Sequence, residues 1–263
     1  MKRTAAATLL TLALCAAAAA QTGAPSPKPA RARKAAPAAP GKSAAAEDEI
    51  ERLFDRLMLA QGGMALLLVK SRVMRGNVEM SMSPAPASFE SYEKMPGKSL
   101  VVIEGPGGQF IQASDGDKRW VKSPWAGVKA AGPATADPLS GGSPGAEGFK
   151  WRSLFSSARL KGRAVVDGRE TVVLAATPRG REPLVMYFDA ETGLLRKQEF
   201  AYPGGKEDKL GAVYIDSYAT VDGVKVPALF RYVYPDFTMT FRVYEVKHNV
   251  AINDALFRDP NGK

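Results

Sequence analysis

His248 is the only histidine and Cys15 the only cysteine in the chain, so imidazole and thiolate chemistry each rest on one side chain. A Ser–His relay or a histidine-based metal site needs partners that the spacing around His248 does not supply. Beside Lys247 it reads instead as a partly exposed strand residue. Asp115-Gly116-Asp117 has the opening of a calcium loop but lacks the later ligands and the distal glutamate; a hairpin turn accounts for it. No Lys-Ser/Thr pair and no helix start follow Gly105-Pro106-Gly107-Gly108, as a phosphate cradle would require. Glu207 and Asp208 sit in a polar Gly-Lys loop. The residues assemble no catalytic or metal centre, and the expectation is a non-enzymatic protein without a cofactor.

Apolar binding is better provided for. Met74, Met80, Met82, Met95, Met186 and Met239 recur on predicted strands or beside turns. The flexible thioether adapts to irregular apolar partners, although core packing explains any single one of them. Trp120 and Trp125 flank Lys122-Ser123-Pro124 near a strand end, where they could frame a cavity mouth or simply pack.

The elements that must position these residues centre on the stretch 183–200. Leu184 to Phe188 is an apolar, aromatic run, and Asp189 to Gly193 supplies a turn in which Gly193 can take positive φ. Leu184, Met186 and Phe188 share one face, Val185 and Tyr187 the other, so the sheet is expected to be covered on both sides there. Similar hairpins turn at Asp115-Gly116-Asp117, Asp167-Gly168 and Asp222-Gly223. Phe237, Met239, Phe241 and Val243 share a face, after which the apolar side shifts to Tyr244 and Val246. That change of phase predicts a bulge or a sharp bend.

Successive short turns predict neighbouring strands paired in order. About ten or eleven strands are expected, more than an open sheet usually holds without curling. Ile50, Leu53, Phe54, Leu57 and Met58 recur at helical spacing behind Glu47-Asp48-Glu49 and ahead of Gln61-Gly62-Gly63, giving an amphipathic helix over 47–60. Trp151, Leu154 and Phe155 suggest a short second helix. Met64 to Val69 fits either a further helical turn or a strand start. The fold class is thus mainly β with α: a single curled antiparallel sheet forming an unclosed β-barrel, covered inside by short helices.

The N-terminus is different in kind. Met1-Lys2-Arg3, the apolar run to Cys15 and Ala18-Ala19-Ala20 predict a signal peptide over 1–20, and hence export to the periplasm. Leu12-Ala13-Leu14-Cys15 also approaches a lipobox, which would anchor the chain through Cys15, but Leu14 stands where a small residue is needed. Residues 21–46 are Ala/Pro-rich and basic, with no acid, and read as a disordered tether before a domain at 47–263. Of the net charge of +9, Lys2 and Arg3 with Lys28, Arg31, Arg33, Lys34 and Lys42 account for most. The domain itself is nearly neutral, which argues against nucleic acid as a partner. The Gly/Pro/Ser-rich stretch 131–148 is expected to be a mobile loop.

The chain resembles the outer-membrane lipoprotein-sorting proteins, the LolA/LolB-like periplasmic lipoprotein carriers. The resemblance rests on the N-terminal helix before Val69-Lys70-Ser71-Arg72, then Phe89-Glu90-Ser91-Tyr92 with Pro96-Gly97-Lys98, and Asp115 to Trp120. It continues through Tyr187 to Leu195, Val221 to Pro227, Glu245 to Val250, Ile252-Asn253-Asp254 and Phe257. It implies an unclosed barrel whose apolar cavity receives acyl chains of lipoproteins or other lipids. Leu53, Phe54, Leu57, Met58, Met80, Met82, Trp120, Trp125, Met186, Phe188, Met239 and Phe241 would line that cavity. It also implies a monomer in transient contact with inner- or outer-membrane partner proteins. The stretch 131–148 departs from the helical segment usual in relatives. An interaction or sensor module of the cell envelope, holding no ligand, is the alternative the sequence leaves open.

Overall fold

The computed structural model describes residues 40–130, 151–201 and 210–260. Helix α1 (Pro40–Gln61) and the single turn α2 (Met64–Leu67) lead into a sheet. Strands β1 (Ser71–Met80), β2 (Ser83–Lys94), β3 (Lys98–Gly105), β4 (Gly108–Asp115), β5 (Arg119–Ser123) and β6 (Gly127–Ala130) form its first half. The turn α3 (Trp151–Leu154) precedes β7 (Phe155–Val166), β8 (Arg169–Pro178), β9 (Leu184–Asp189) and β10 (Leu195–Ala201). Strands β11 (Leu210–Val221), β12 (Val224–Val233) and β13 (Thr238–His248) complete the sheet, and a 3-10 turn (Asp254–Phe257) follows.

All thirteen strands belong to one antiparallel sheet, in the order β6-β5-β4-β3-β2-β1-β13-β12-β11-β10-β9-β8-β7. The sheet is therefore a meander whose first and last strands pair, leaving β6 and β7 as its two edges. Expected in-order pairing holds except at this mid-chain seam. The count exceeds the expected ten or eleven because short strands such as β6 carry too few residues to show a period. The expected signal peptide, most of the expected tether and the stretch 131–148, expected to be a loop, lie outside the described residues.

Register explains why the sheet curls. Opposite Arg75 and Gly76, β13 carries an extra residue, so Glu245 and Val243 bracket an unpaired Tyr244. Of the two features that the change of phase predicts, this is the bulge. Phe89 on β2 stacks edge-on against Phe230 of β12 and Phe241 of β13, with centroids 6.3 and 5.2 Å apart. Phe89 and Phe230 belong to strands with β1 and β13 between them, a separation of about 14 Å in a flat sheet. Their rings meet because the sheet bends towards this face, here called inner, and because Gly76 beneath them has no side chain. A Cβ on Gly76 would collide with the Phe89 ring and the Arg242 carbonyl.

Helix α1 starts at Pro40, inside the stretch expected to be tether, so Glu47-Asp48-Glu49 do not occupy its first turn. Proline suits the first helical position, and Ala44-Ala45-Ala46 carry the helix onward. Ile50, Leu53, Phe54 and Leu57 are its buried stripe. Met64 to Val69 resolves into α2 and its exit, with Leu66 and Val69 packed on Val224 and Val226.

Candidate functional site

Two apolar clusters share the inner face. In the first, the α1 stripe packs on Trp151, Phe155, Leu174, Ala176, Leu184, Met186 and Phe188. The second joins Met74, Val78, Phe89, Phe200, Val213, Phe230, Tyr232 and Phe241, with Met80 and Met239 at its margin. Half-buried Leu195 touches both, so the two form one apolar lining. Helix α1 contacts both β7 and β12, with β8 to β11 between them, and so lies across the lining rather than along one strand.

Few polar contacts hold α1 down. Arg56 Nη2 donates to the carbonyls of Ala190 (2.7 Å) and Glu191 (2.5 Å), in the β9–β10 turn. Arg152 of α3 pairs with Glu47 at 2.6 Å and lies near Glu51. The β9–β10 turn is itself firmly built. Asp189 Oδ1 accepts from the N–H groups of Glu191 (3.0 Å) and Thr192 (2.8 Å), and Gly193 takes φ of 78°. Burial works to raise the Asp189 pKa, but these N–H groups, the Thr192 hydroxyl and Arg169 hold it below the usual carboxylate range. A side chain at Gly193 would press on Arg56.

The structure brings Leu53, Phe54, Leu57, Met186 and Phe188 together, with half-buried Met58 on the same helix. Met80, Met239 and Phe241 join the neighbouring cluster. Three expected lining residues lie elsewhere. Trp120 is buried on the opposite, outer face, where it packs with Val73, Leu100, Ala113, Ile252 and Phe257, and its Nε1 donates to the Phe257 carbonyl at 3.0 Å. Register dictates this: Trp120 pairs with Ala113, Ala113 with Leu100, Leu100 with Tyr92 and Tyr92 with Val73, opposite in phase to Met74. Met82 is 50% exposed because β1 ends at Met80, before the period-two pattern does. Trp125, 68% exposed, stands on the β5–β6 turn.

The outer face of β9 is also not covered as expected. Val185 and Tyr187 are half-buried beneath cross-strand side chains, not a second layer. Lys197 Nζ lies 5.0 Å from the rings of both Tyr187 and Tyr214 and 2.6 Å from Glu199. Burial, then the bond to Glu199, push the Tyr187 hydroxyl up to about 12. Arg231 covers Tyr214 and binds Asp216 through two nitrogens, at 2.8 and 3.0 Å. These charges satisfy one another.

His248 is partly exposed as a residue, as its neighbour Lys247 suggested, but the imidazole itself is covered. Its side chain is 2% exposed, with Nδ1 3.2 Å from Asp222 and Nε2 without a hydrogen bond. It lies across from Arg72, which in turn faces Glu93. Burial and then the Arg72 charge depress its pKa, against the pull of Asp222. On the outer side a cleft of about 260 Å³ opens between the sheet and the C-terminal segment, lined by Val73, Arg75, Tyr92, Lys247, Ile252 and Leu256 among others. Arg75 bridges Glu90 (2.8 Å) and Glu245 (2.6 Å), so the charge at its rim is compensated. Sequence reasoning missed Arg56 and Arg152 as fastenings of α1; only the long-range register identifies their acceptors.

The fold is that of an unclosed, helix-covered barrel of LolA type. No family model matches the chain, and no curated protein matches it in sequence. Solved structures do match in shape. A DUF1329 family protein from Desulfovibrio piger superposes with a TM-score of 0.54 at 18% identity, covering 80% of this chain and 97% of that one. A LolA superfamily protein from Nitrosomonas europaea gives 0.54 at 13%, covering 79% and 96%. An outer-membrane lipoprotein-sorting protein domain from Vibrio parahaemolyticus gives 0.52 at 14%, covering 82% and 100%. At these identities the likeness establishes the fold alone.

Proposed function

We propose that this protein is a periplasmic, non-enzymatic carrier that buries acyl chains of a lipoprotein or another lipid on the inner face of its sheet. The observation carrying this is α1 itself: a strongly apolar stripe across an aromatic and methionine-rich lining, fastened mainly by Arg56 and Arg152 at its polar margin. Displacing α1 exposes the apolar surface around Phe155, Met186 and Phe188, which continues through Leu195 into the cluster of Phe200 and Phe241. A cargo chain can take the helix's place, each CH₂ contributing about 0.8 kcal/mol. In this reading residues 1–20 direct export, the segment before α1 is a tether, and the chain acts as a monomer meeting membrane partners transiently.

Native mass spectrometry with lipid extraction, on protein purified from a periplasm without detergent, tests it. A discrete added mass of lipid or acylated peptide is expected. The tight packing of Phe89, Phe230 and Phe241 favours a second reading, an envelope interaction module whose interior its own side chains fill. A mass that stays free of lipid when lipids and lipopeptides are offered selects that module and rejects the carrier.

A further inference from the structure

We propose that the corner between α1 and α2 docks the protein onto the surface of a lipid bilayer. Leu59, Met64 and Leu68 are 68, 71 and 64% exposed, and all three lie within ten residues around this corner. The other exposed large apolar residues among those described are spread over separate strands, turns and helices. On α1, Leu59 lies half a turn from the stripe of Ile50, Leu53, Phe54 and Leu57, on the face turned to solvent. Beyond Gly62-Gly63 the chain folds back so that Leu59 Cδ2 lies 3.8 Å from where a Gly63 Cβ would be, beside Met64. Met64 and Leu68 then stand one helical turn apart, opposite the buried Leu66.

The corner is held rigidly. A side chain at Gly62 would strike the Gly223 carbonyl in the β11–β12 turn, and Leu66 and Val69 are buried on Val224 and Val226. Its apolar side chains are therefore presented rather than tucked away. From Leu57 to Val69 no residue is charged; at its ends stand exposed Arg56 and Lys70 with exposed Asp55, while Arg52 lies a further turn back beside exposed Asp48 and Glu49. Asp222 and Lys225 of the neighbouring turn cancel. An uncharged aliphatic corner bordered by Arg56 and Lys70 matches the headgroup region of an anionic bilayer, with the acyl boundary below it. A second copy would set the same cations against one another. No described helix is long and apolar enough to cross a membrane, so the contact is one of lying on the surface.

Flotation of the exported full chain with phosphatidylethanolamine–phosphatidylglycerol vesicles tests this. The parent is expected to float, and Leu59→Ser/Met64→Ser/Leu68→Ser to partition at least about tenfold less. These side chains are exposed, so circular dichroism and the thermal midpoint should stay at the parent's values. The tryptophan introduced by Met64→Trp should shift its emission to the blue on adding vesicles. The proposal falls if the triple variant floats like its parent, or if vesicles leave the emission of the Met64→Trp variant unmoved. It also falls if neutralising Lys28, Arg31, Arg33, Lys34 and Lys42 abolishes flotation while the triple variant leaves it intact. Concentration-dependent self-association that the triple variant loses, without vesicle binding by the parent, would assign the corner to a second copy instead. None of these outcomes depends on whether the interior carries a lipid.

Discussion

At the scale of single residues, Gly76 and His248 make the sharpest demands. Gly76 sits where β13 bulges and where the Phe89 ring turns inward, and an added Cβ meets that ring and the backbone oxygen of Arg242. Gly76→Ala should therefore destabilise the protein by about 2 kcal/mol or more, because backbone cannot yield as a flexible side chain would. Urea unfolding measures it, and a shift under about 0.5 kcal/mol would mean the sheet relaxes freely there. His248 should leave a mark in pH. Its folded pKa lies below its ordinary value of about 6.5, first through burial and then through Arg72. As pH falls below that value the unfolded chain takes up a proton that the folded one resists, so stability drops towards the lowered folded pKa. His248→Gln should lose less stability than the parent between about pH 7.5 and about pH 5.5 in urea melts. Parallel losses would mean the imidazole is solvated. Neither role was legible in the sequence: both arise from cross-strand register between β1 and β13, residues far apart in the chain.

At the scale of elements, α1 is the part whose attachment can be altered without unfolding the sheet. Leu57→Glu places a carboxylate in the cluster of Phe54, Phe155 and Phe188, an unpaired burial that costs several kcal/mol. The cheaper response is for the helix to lift. Amides of α1 should lose protection in hydrogen exchange while those of β1, β12 and β13 keep theirs, and lipid should bind more tightly, because the cost of lifting the helix is already met. Unchanged lipid occupancy would remove α1 from the mechanism. Arg56→Ala should loosen the same helix more gently, by about 1 kcal/mol, since it deletes two hydrogen bonds to exposed carbonyls. What the sequence revealed at this scale follows from local chemistry. The turn at Asp189 to Gly193, the α1 stripe and the bulge at Tyr244 are each encoded within a few residues. Trp120 and Met82 were misplaced because the face a strand residue occupies depends on where the strand ends and what it pairs with. The start of α1 was read too late because its alanines look alike in a helix and in a tether.

At the scale of the whole molecule, carriage requires an exchange of one apolar burial for another, and the magnitudes are close. Ile50, Leu53, Phe54 and Leu57 each gain about 1.5–3 kcal/mol from burial, so lifting α1 costs on the order of 6–12 kcal/mol, an upper bound because the unfolded reference overstates burial. An acyl chain of about sixteen carbons recovers on the order of 13 kcal/mol at about 0.8 kcal/mol per CH₂. One of about eight carbons recovers half of that, less than much of the range for lifting the helix. Binding should therefore show a threshold in chain length and, beyond it, rise by about fourfold per CH₂. Displacement of a fluorescent fatty acid by lipids of graded length measures this directly. Because β6 and β7 are the unpaired ends of the sheet, a cargo entering the proposed lining would meet a sheet free to widen there, which a closed barrel would resist. If affinity is flat across chain lengths, the lining never opens and the interior is core in the ordinary sense. A slope near fourfold that persists in Leu57→Glu, with the threshold moved to shorter chains, would instead tie the binding energy to the surface that α1 covers.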